Sequence, residues 1–368
     1  MNITIVRDSF IEILQKAGYF ISNRISDLKV FKGVLIKAEQ TGIVVKTTNI
    51  NEYFSGEIGG KVNKTGEVLV DFKTLFELVK NLPDAKIVLE KKDKQLIINS
   101  RSGEIKLLIM DDENFPENPK NKENYLLPNN LFKEKQINQV IFSAASDEAR
   151  PILTGVCFDF QEKNTRVVGT DGFRMSMYKN PTIVEQLNNQ KLVVSAKSLA
   201  SILKIFKNNL KEVSYSLKDR KMIFQGNNLV VTTKLLEGEF PPYEKVIPQS
   251  TETTILLKKD ELLEIIKSSS LFAKEGSNML SLDIKETGLI ISSTGSSIGE
   301  ATFNINLLDF QGKENRVVFN YRYLLEFLNN VTNEEIIFEM SNPFAPGLFK
   351  SKKDSGLVHI IMPIRSQD

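Results

Sequence analysis

The chain reads as an α+β protein made of three tandem copies of one domain, each with antiparallel sheets and two helices packed on one face. One observation behind this is a pattern that recurs at nearly constant spacing: Leu69-Val-Asp-Phe-Lys-Thr-Leu-Phe-Glu-Leu-Val-Lys80, Val193-Val-Ser-Ala-Lys-Ser-Leu-Ala-Ser-Ile-Leu-Lys204 and Val318-Phe-Asn-Tyr-Arg-Tyr-Leu-Leu-Glu-Phe-Leu-Asn329. Each is a strand running into a helix. The aligned cations Lys73, Lys197 and Arg322 stand 124 and 125 residues apart, from 197 − 73 and 322 − 197, which is one domain length. A second observation is the pair of connectors at Phe115-Pro116 and Phe240-Pro241, again 125 residues apart. A third is the element order within each third of the chain: helix, strands, helix, strands. The length of 368 residues suits two or three domains, and a hydrophobic fraction of 41% is ample for packed cores. The copies are assigned to residues 1–126, 127–249 and 250–368.

Each copy opens with a helix, predicted over 8–19, 130–144 and 260–273. Asp8, Asn130 and Asp260 are suitable caps, and apolar residues recur at 10, 13 and 14, at 137, 140 and 141, and at 262, 265 and 266. Short alternating or apolar runs follow, such as Gly33-Val-Leu-Ile36, Val156-Cys-Phe-Asp-Phe160 and Leu280-Ser-Leu-Asp-Ile284, and these predict strands. The second helix of each copy is the repeated segment itself. Further runs come after it, among them Gln95-Leu-Ile-Ile98, Lys221-Met-Ile-Phe224 and Glu335-Ile-Ile-Phe338, separated by Asp, Asn and Gly turn residues. The first two copies end in charged, proline-bearing connectors, Met110-Asp-Asp-Glu-Asn-Phe-Pro-Glu-Asn-Pro-Lys120 and Leu236-Glu-Gly-Glu-Phe-Pro-Pro-Tyr-Glu-Lys-Val246, which leave the sheet in extended conformation.

Net charge is only +2, from 48 basic and 46 acidic residues, so a surface for a polyanion has to come from segregation of charge. The repeated helices show it. In the second copy Leu199, Ile202, Leu203, Phe206 and Leu210 form an apolar stripe, while Lys197, Ser201, Lys204, Asn208 and Lys211 lie on the other side. Lys197 and Lys204, seven residues apart, share one face two turns apart, and Lys73 and Lys80 repeat the spacing over Leu75, Leu78, Val79 and Leu82. The third copy keeps Arg322 but has Glu326 one turn on. Cations repeated around a pseudo-symmetric array suit holding something large and anionic better than a localised reaction.

Several other classes lack their residues. No stretch approaches the roughly 20 apolar residues that a bilayer-spanning helix needs. The amino terminus Met1-Asn-Ile-Thr-Ile-Val-Arg-Asp8 carries acid and base where a secretory signal needs an apolar run, so a cytoplasmic location is expected. One cysteine, Cys157 in an apolar run, is read as a buried thiol. The one histidine, His359, sits within Leu357-Val-His-Ile-Ile361 and reads as a strand residue, so neither a Cys/His zinc site nor a nucleophile triad can be assembled. Gly56-Glu-Ile-Gly-Gly-Lys61 is one residue short of a phosphate loop and is followed by Val62 where Ser or Thr should ligate magnesium. Asp111-Asp112-Glu113 is a carboxylate cluster in a connector, read as solvated. A metal-dependent nuclease and a monomeric DNA-binding scaffold stand as the rival readings, separable by magnesium-dependent cleavage and by mass.

The strongest local motif is Gly169-Thr-Asp-Gly-Phe-Arg-Met-Ser176, where Asp171-Gly172 between two strand-like runs predicts a turn. Together with Arg150-Pro-Ile-Leu-Thr-Gly155, Glu237-Gly-Glu-Phe-Pro-Pro-Tyr243 and Ile361-Met-Pro-Ile-Arg365, it makes the chain resemble the bacterial replicative sliding clamps, the beta subunits of DNA polymerase III. The resemblance covers all three copies. It implies a non-catalytic processivity factor without cofactor or metal, a head-to-tail homodimer closing a six-domain ring with helices lining the hole. The partners it implies are double-stranded DNA, the polymerase III alpha subunit or an equivalent replicative polymerase, the clamp loader and other replication and repair proteins. Duplex DNA would be met by Arg24, Lys73, Lys197, Lys204, Asn320 and Arg322, and the dimer seam would bring Ile105 and Leu107 to Leu271 and Phe272. A cleft for partner peptides would have one part formed by Leu153, Thr170, Gly172, Phe173, Arg174, Met175, Pro241, Val246 and Ile360. The other part would be formed by Arg150, Ile152, Tyr323, Phe344, Met362, Pro363, Ile364 and Arg365. Phe173 stands where many relatives carry histidine, and Ile152 where some carry an aromatic residue.

Overall fold

The structure is a computed structural model that describes residues 1–22, 24, 28–101, 103–111, 115–118 and 125–365. Asp112 and Glu113 of the connector's carboxylate cluster lie outside the described residues. Those described contain α1 (Arg7–Ala17), α2 (Phe72–Asn81), α3 (Glu134–Ile141), α4 (Ala196–Phe206), α5 (Lys259–Ala273) and α6 (Tyr321–Asn330). Two helices per copy therefore form where the hydrophobic period places them. Each buries its stripe: Phe72, Leu75 and Val79 on α2, and Tyr321, Leu324, Phe327 and Leu328 on α6.

The helix starts differ from the expected caps. Asp8 and Asp260 lie inside the first turns of α1 and α5, where a carboxylate faces the positive end of the helix, and the cap residues Val6 and Lys258 contribute no side-chain bond. The second copy's opening helix is shorter than expected, because residues Asn129–Phe132 form a 3-10 turn and α3 begins at Glu134. Asn130 is drawn elsewhere: its side chain donates to Thr182 Oγ1 and its carbonyl accepts from Asn180. True caps are found on the repeated helices, where Asp71 Oδ1 accepts the Thr74 N–H at 2.8 Å and Asn320 Oδ1 accepts the Arg322 N–H at 3.0 Å.

The chain forms two compact bodies, one of Met1–Asn129 with Ser198–Leu235 and the other of Asn130–Lys197 with Leu236–Asp368. In the first body an eight-stranded antiparallel sheet passes from the first copy to the second, Glu52–Ile58 pairing with Leu229–Lys234 so that Phe54 faces Val231. In the second body a nine-stranded sheet passes from the second copy to the third, Arg174–Asn180 pairing with Leu357–Ile361 so that Met175 faces Ile360. Each body also has a shorter sheet. The five-stranded one ends on Gly103–Leu108 and the four-stranded one on Gly299–Ile305, and among the described residues each of these end strands is paired along one side only.

Cores sit between helices and sheets. In the third copy Phe319, Phe327, Phe338 and Phe349 are almost fully buried, with the Phe338 and Phe349 rings stacked at 4.5 Å. Burial of such side chains contributes about 1.5–3 kcal/mol each, which is what draws α5 and α6 onto the sheet. Gly56–Lys61 spans the end of one strand, the Gly59-Gly60 link and the start of another, so it is not a strand-to-helix phosphate loop. No helix among the described residues is long and apolar enough to cross a membrane.

Candidate functional site

The loop between Asn164–Thr170 and Arg174–Asn180 is built by its own side chains. Asp171 Oδ1 accepts the N–H groups of Phe173 and Arg174 at 2.8 and 2.9 Å, and Thr170 Oγ1 accepts the Gly172 N–H at 3.0 Å while donating to the Arg174 carbonyl at 2.6 Å. Gly172 has φ +93°, a conformation that favours glycine, and a Cβ there would come within 2.9 Å of an Arg150 guanidinium nitrogen, which would have to move aside. Arg150 in turn donates to the Asp171 carbonyl at 2.9 Å.

Arg174 is 7% exposed, and its guanidinium is held from several sides. It pairs with Asp171 at 3.1 Å and Glu326 at 2.7 Å, donates to the Phe142 carbonyl at 2.8 Å, and lies 4.8 Å from the Tyr323 ring centre. Burial and then the Asp171 charge push the Tyr323 hydroxyl's titration upward. Behind Arg174, His359 is fully buried: Nδ1 is 2.7 Å from Ser176 Oγ, which is 2.7 Å from Ser143 Oγ, and the ring stacks on Phe327 at 4.6 Å. Burial, with a smaller contribution from Arg174, holds this imidazole well below its ordinary basicity. Cys157 is buried and its thiol is pushed up by desolvation, which makes it unreactive.

In front of this loop lies a mostly apolar cleft of about 360 Å³. Ten residues of the expected two-part set line it: Arg150, Leu153, Thr170, Gly172, Arg174, Met175, Pro241, Val246, Ile360 and Met362. Its floor is the sheet face carrying Met175 and Ile360 with Leu153 from the Pro151–Thr154 3-10 turn beside it, and one wall is the connector from Pro241 to Val246. The remaining expected residues lie around it. Phe173 is 60% exposed beside the cleft, with its carbonyl accepting the Met362 N–H at 2.9 Å. Ile152 packs half-buried on the cluster around Leu153 and Phe240, and Tyr323 is half-buried under Arg174. Pro363 and Ile364 are half-buried, Ile364 donating its N–H to the Val318 carbonyl at 2.8 Å, and Arg365 is exposed. Phe344 stands out from its loop at 68% exposure, near a second hollow of about 400 Å³ lined by Asn342, Ala345 and Pro346 and sharing Lys245, Val246 and Met362 with the first. Pro242, Tyr243 and Lys245 also line the cleft and were not among the residues expected there. The signal for Tyr243 was the aromatic pair Phe240 and Tyr243 flanking two prolines, a spacing that lets both rings turn to one side.

The expected DNA-facing cations are exposed: Lys73 on α2, Lys197 and Lys204 on α4, Arg322 on α6, and Arg24 in the first copy. Lys204 Nζ also sits 5.3 Å from the centre of the Tyr19 ring. Asn320 is half-buried and occupied as the α6 cap. Of the expected seam residues, Ile105 and Leu107 are half-buried on the Gly103–Leu108 end strand, Leu271 is 68% exposed and Phe272 half-buried at the end of α5. Two exposed apolar residues escaped sequence reading there, Leu108 at 76% and Ile298 at 50% exposure. Among the described residues no group of three His, Cys, Asp or Glu side chains is placed to hold a metal ion.

Comparison with known proteins covers the whole length. Family profiles of the DNA polymerase III beta subunit match in order: the N-terminal domain over residues 1–119, the central domain over 126–242 and the C-terminal domain over 244–365. The chain is 27% identical to the beta sliding clamp of Bacillus subtilis strain 168 over 379 aligned positions, with 100% of both chains covered. It is 26% identical over 377 positions to that of Staphylococcus aureus strain Mu50, again with 100% of both covered. The crystal structure of the Bacillus subtilis DNA polymerase sliding clamp superposes with a TM-score of 0.91 at 26% identity, covering 100% of this chain and 99% of that one.

Proposed function

Since the chain belongs to the DNA polymerase III beta subunit family, we propose that it closes a head-to-tail homodimeric ring around duplex DNA and tethers a replicative polymerase through the cleft. The chain is a DNA sliding clamp, and a sliding clamp is a processivity factor, not an enzyme. The observation that carries the ring is the state of its sheets. Where copies meet within the chain, they share a sheet of eight or nine strands, and the first and third copies keep sheets of five and four strands in which the end strands Gly103–Leu108 and Gly299–Ile305 are, among the described residues, paired along one side only. An open edge is a template for pairing. Joined across two protomers, Gly103–Leu108 against Gly299–Ile305, these sheets would form a nine-stranded one. Ile105 and Leu107, with the missed Leu108, would bury against Leu271, Phe272 and Ile298. A first-to-third contact is heterologous, and it closes only if the rotation returns on itself, which two three-domain protomers with sixfold pseudo-symmetry provide.

Inside such a ring the exposed cations of α2, α4 and α6 attract phosphates without reading bases, which suits sliding, and topology rather than affinity gives long residence. Lys73, Lys197, Lys204, Arg322 and Arg24 are the residues assigned to this role, with Asn320 acting through the α6 start that presents Arg322. The cleft's Met, Pro and aliphatic lining, with Arg150 at its mouth, fits an extended apolar peptide and tolerates varied partners. Polymerase, clamp loader and repair proteins would compete for it, in the cytoplasm where replication proceeds.

Two measurements test this. Sedimentation should give twice the chain mass of 41.6 kDa, and protein loaded on nicked circular DNA should stay until the circle is linearised. A monomer that leaves circles and linear DNA alike defeats the ring. Replacing Lys197 and Lys204 together by Glu should reduce loading and weaken the salt dependence of DNA binding, because fewer phosphates are neutralised; unchanged loading and salt dependence remove these residues from the DNA surface.

A further inference from the structure

We propose that Asp159 is a positioning residue of the peptide cleft: its buried carboxylate latches the Tyr243 hydroxyl and so fixes the connector that forms one cleft wall. The inference rests on the cleft being the partner-peptide site. The wall needs such a latch because its backbone is tied mainly to itself. Tyr243–Val246 is a single 3-10 turn, and its N–H groups bond within the segment, Tyr243 to the Pro241 carbonyl at 2.8 Å and Lys245 to that of Pro242 at 3.3 Å. The last backbone bond to the sheet comes earlier, from Leu236 N–H to the Val193 carbonyl at 2.8 Å. Beyond that point the wall is placed by side chains, and the two that turn into the sheet are Phe240 and Tyr243, each 3% exposed.

Tyr243 ends on a charge-balanced cluster. Its hydroxyl donates to Asp159 Oδ2 at 2.6 Å, and Asp159 lies on the Gly155–Gln161 strand directly between its cross-strand partners Arg166 and Lys191. Lys191 Nζ is 4.0 Å from Asp159, 4.0 Å from Glu244 and 5.1 Å from the Tyr243 ring centre, and Arg166 reaches Glu244 at 3.9 Å. Gln161 donates to the same carboxylate at 3.0 Å. Tyr243 and Glu244 are thus gripped by two cations and a carboxylate from three adjacent strands. A bond to an ionic acceptor is short and directional, so it sets position as well as energy. The desolvated hydroxyl, its titration pushed further up by Asp159, stays a donor throughout the physiological range.

The Tyr243–Asp159 pair has no counterpart in the first copy, and in the third copy only the carboxylate recurs, as Asp283 opposite Arg316. Counted from the glycine that opens the equivalent strand, Gly33 against Gly155, the place of Asp159 is held by Lys37 in the first copy. Counted from Phe115 against Phe240, the place of Tyr243 is held by Asn118. The latch belongs to the copy that has the cleft.

The test is binding of a labelled synthetic peptide copying the tail of the replicative DNA polymerase encoded in the same genome, measured on the full-length dimer. Tyr243→Phe should weaken binding at least fivefold with the dimer mass unchanged. Asp159→Asn, which keeps an acceptor for the hydroxyl, should lose less than Tyr243→Phe, whereas Asp159→Ala should match it. Because the latch acts through the wall, Tyr243→Phe combined with Val246→Ala should lose less than the product of the two single losses. A merely structural role gives multiplicative losses, and that outcome, or full affinity in Tyr243→Phe, overturns the latch while leaving the cleft assignment intact. If Tyr243→Phe does not fold, the ordering of Asp159→Asn and Asp159→Ala decides the question. Failure of the unmodified protein to bind the peptide overturns the cleft reading and the latch with it.

Discussion

The two places where one sheet passes between copies differ in what covers them. At the first, Glu52–Ile58 against Leu229–Lys234, the connector packs Phe115 and Met110 onto Val30, Phe31, Leu35 and Leu69, and Asn118 donates to Thr232 Oγ1 at 2.9 Å. At the second, Arg174–Asn180 against Leu357–Ile361, the connector inserts Phe240 and Tyr243 and then stands off from Leu153, Met175 and Ile360, leaving the cleft between. The same Phe-Pro start leads to different outcomes because of the third residue after each phenylalanine. An amide reaches a neighbouring hydroxyl; a tyrosine reaches across the sheet to a buried carboxylate. A junction keeps an open cleft here when its cover is held at a distance, and under the proposed function that cleft is the peptide site.

The difference should show first in stability. Phe240 is almost fully buried between the connector and the sheet, so Phe240→Ala should cost about 3–5 kcal/mol in denaturant unfolding and abolish peptide binding. Phe115 is only partly buried against its cluster, and Phe115→Ala should cost about 1–2 kcal/mol and leave peptide binding unchanged. Equal costs at the two sites would mean that the connectors carry the same load.

Much of this was legible in the sequence because it repeats. Helix positions, the Asp171-Gly172 turn and the paired connectors follow from period and spacing, which are properties of the chain alone. The cleft was legible chiefly through resemblance: Met175 and Ile360 read as ordinary core residues until two strands from different copies are laid side by side, and Leu153 until its 3-10 turn packs against them. Asp159 and Tyr243 were not legible as a pair, since 84 residues separate them and nothing local says that a buried carboxylate awaits a hydroxyl. The capping of α6 by Asn320 was hidden for a different reason, because a residue assigned to DNA can also satisfy a backbone donor. At the chain's open edges, Leu108 and Ile298 went unread because single exposed apolar residues are common and become a surface only in three dimensions.

The second junction should also be the pH-sensitive one. His359, directly opposite Ser176 where the strands cross, is buried and held well below its ordinary value of 6.5 by desolvation and then by Arg174. The unfolded chain takes up a proton near pH 6.5 and the folded chain does not. The stabilisation is therefore fully present above that pH and is lost as pH falls, by about 1.4 kcal/mol per unit. Hydrogen exchange should show amides of Arg174–Asn180 losing protection between pH 7 and pH 5.5 more than those of Leu229–Lys234, where the crossing pair is Phe54 and Val231. His359→Phe should flatten that loss. A slope that persists in the variant would assign it to carboxylates instead.

The smallest effect is expected at Asn118. Its bond to Thr232 joins two neutral groups, and although Thr232 is itself 2% exposed, it is covered there by the exposed Asn118, whose truncation opens the hydroxyl to water, so Asn118→Ala should lower stability by about 1 kcal/mol or less. Removing the hydroxyl of Tyr243 strands an acceptor that is 2% exposed, and water cannot replace the lost donor without opening the wall. The two substitutions occupy matching places in the repeat, yet Asn118→Ala should leave peptide affinity unchanged while Tyr243→Phe lowers it. Peptide titrations on both variants check this directly. A loss of affinity in Asn118→Ala would show that the first connector also controls the cleft, and the functional division between the two junctions would then have to be abandoned.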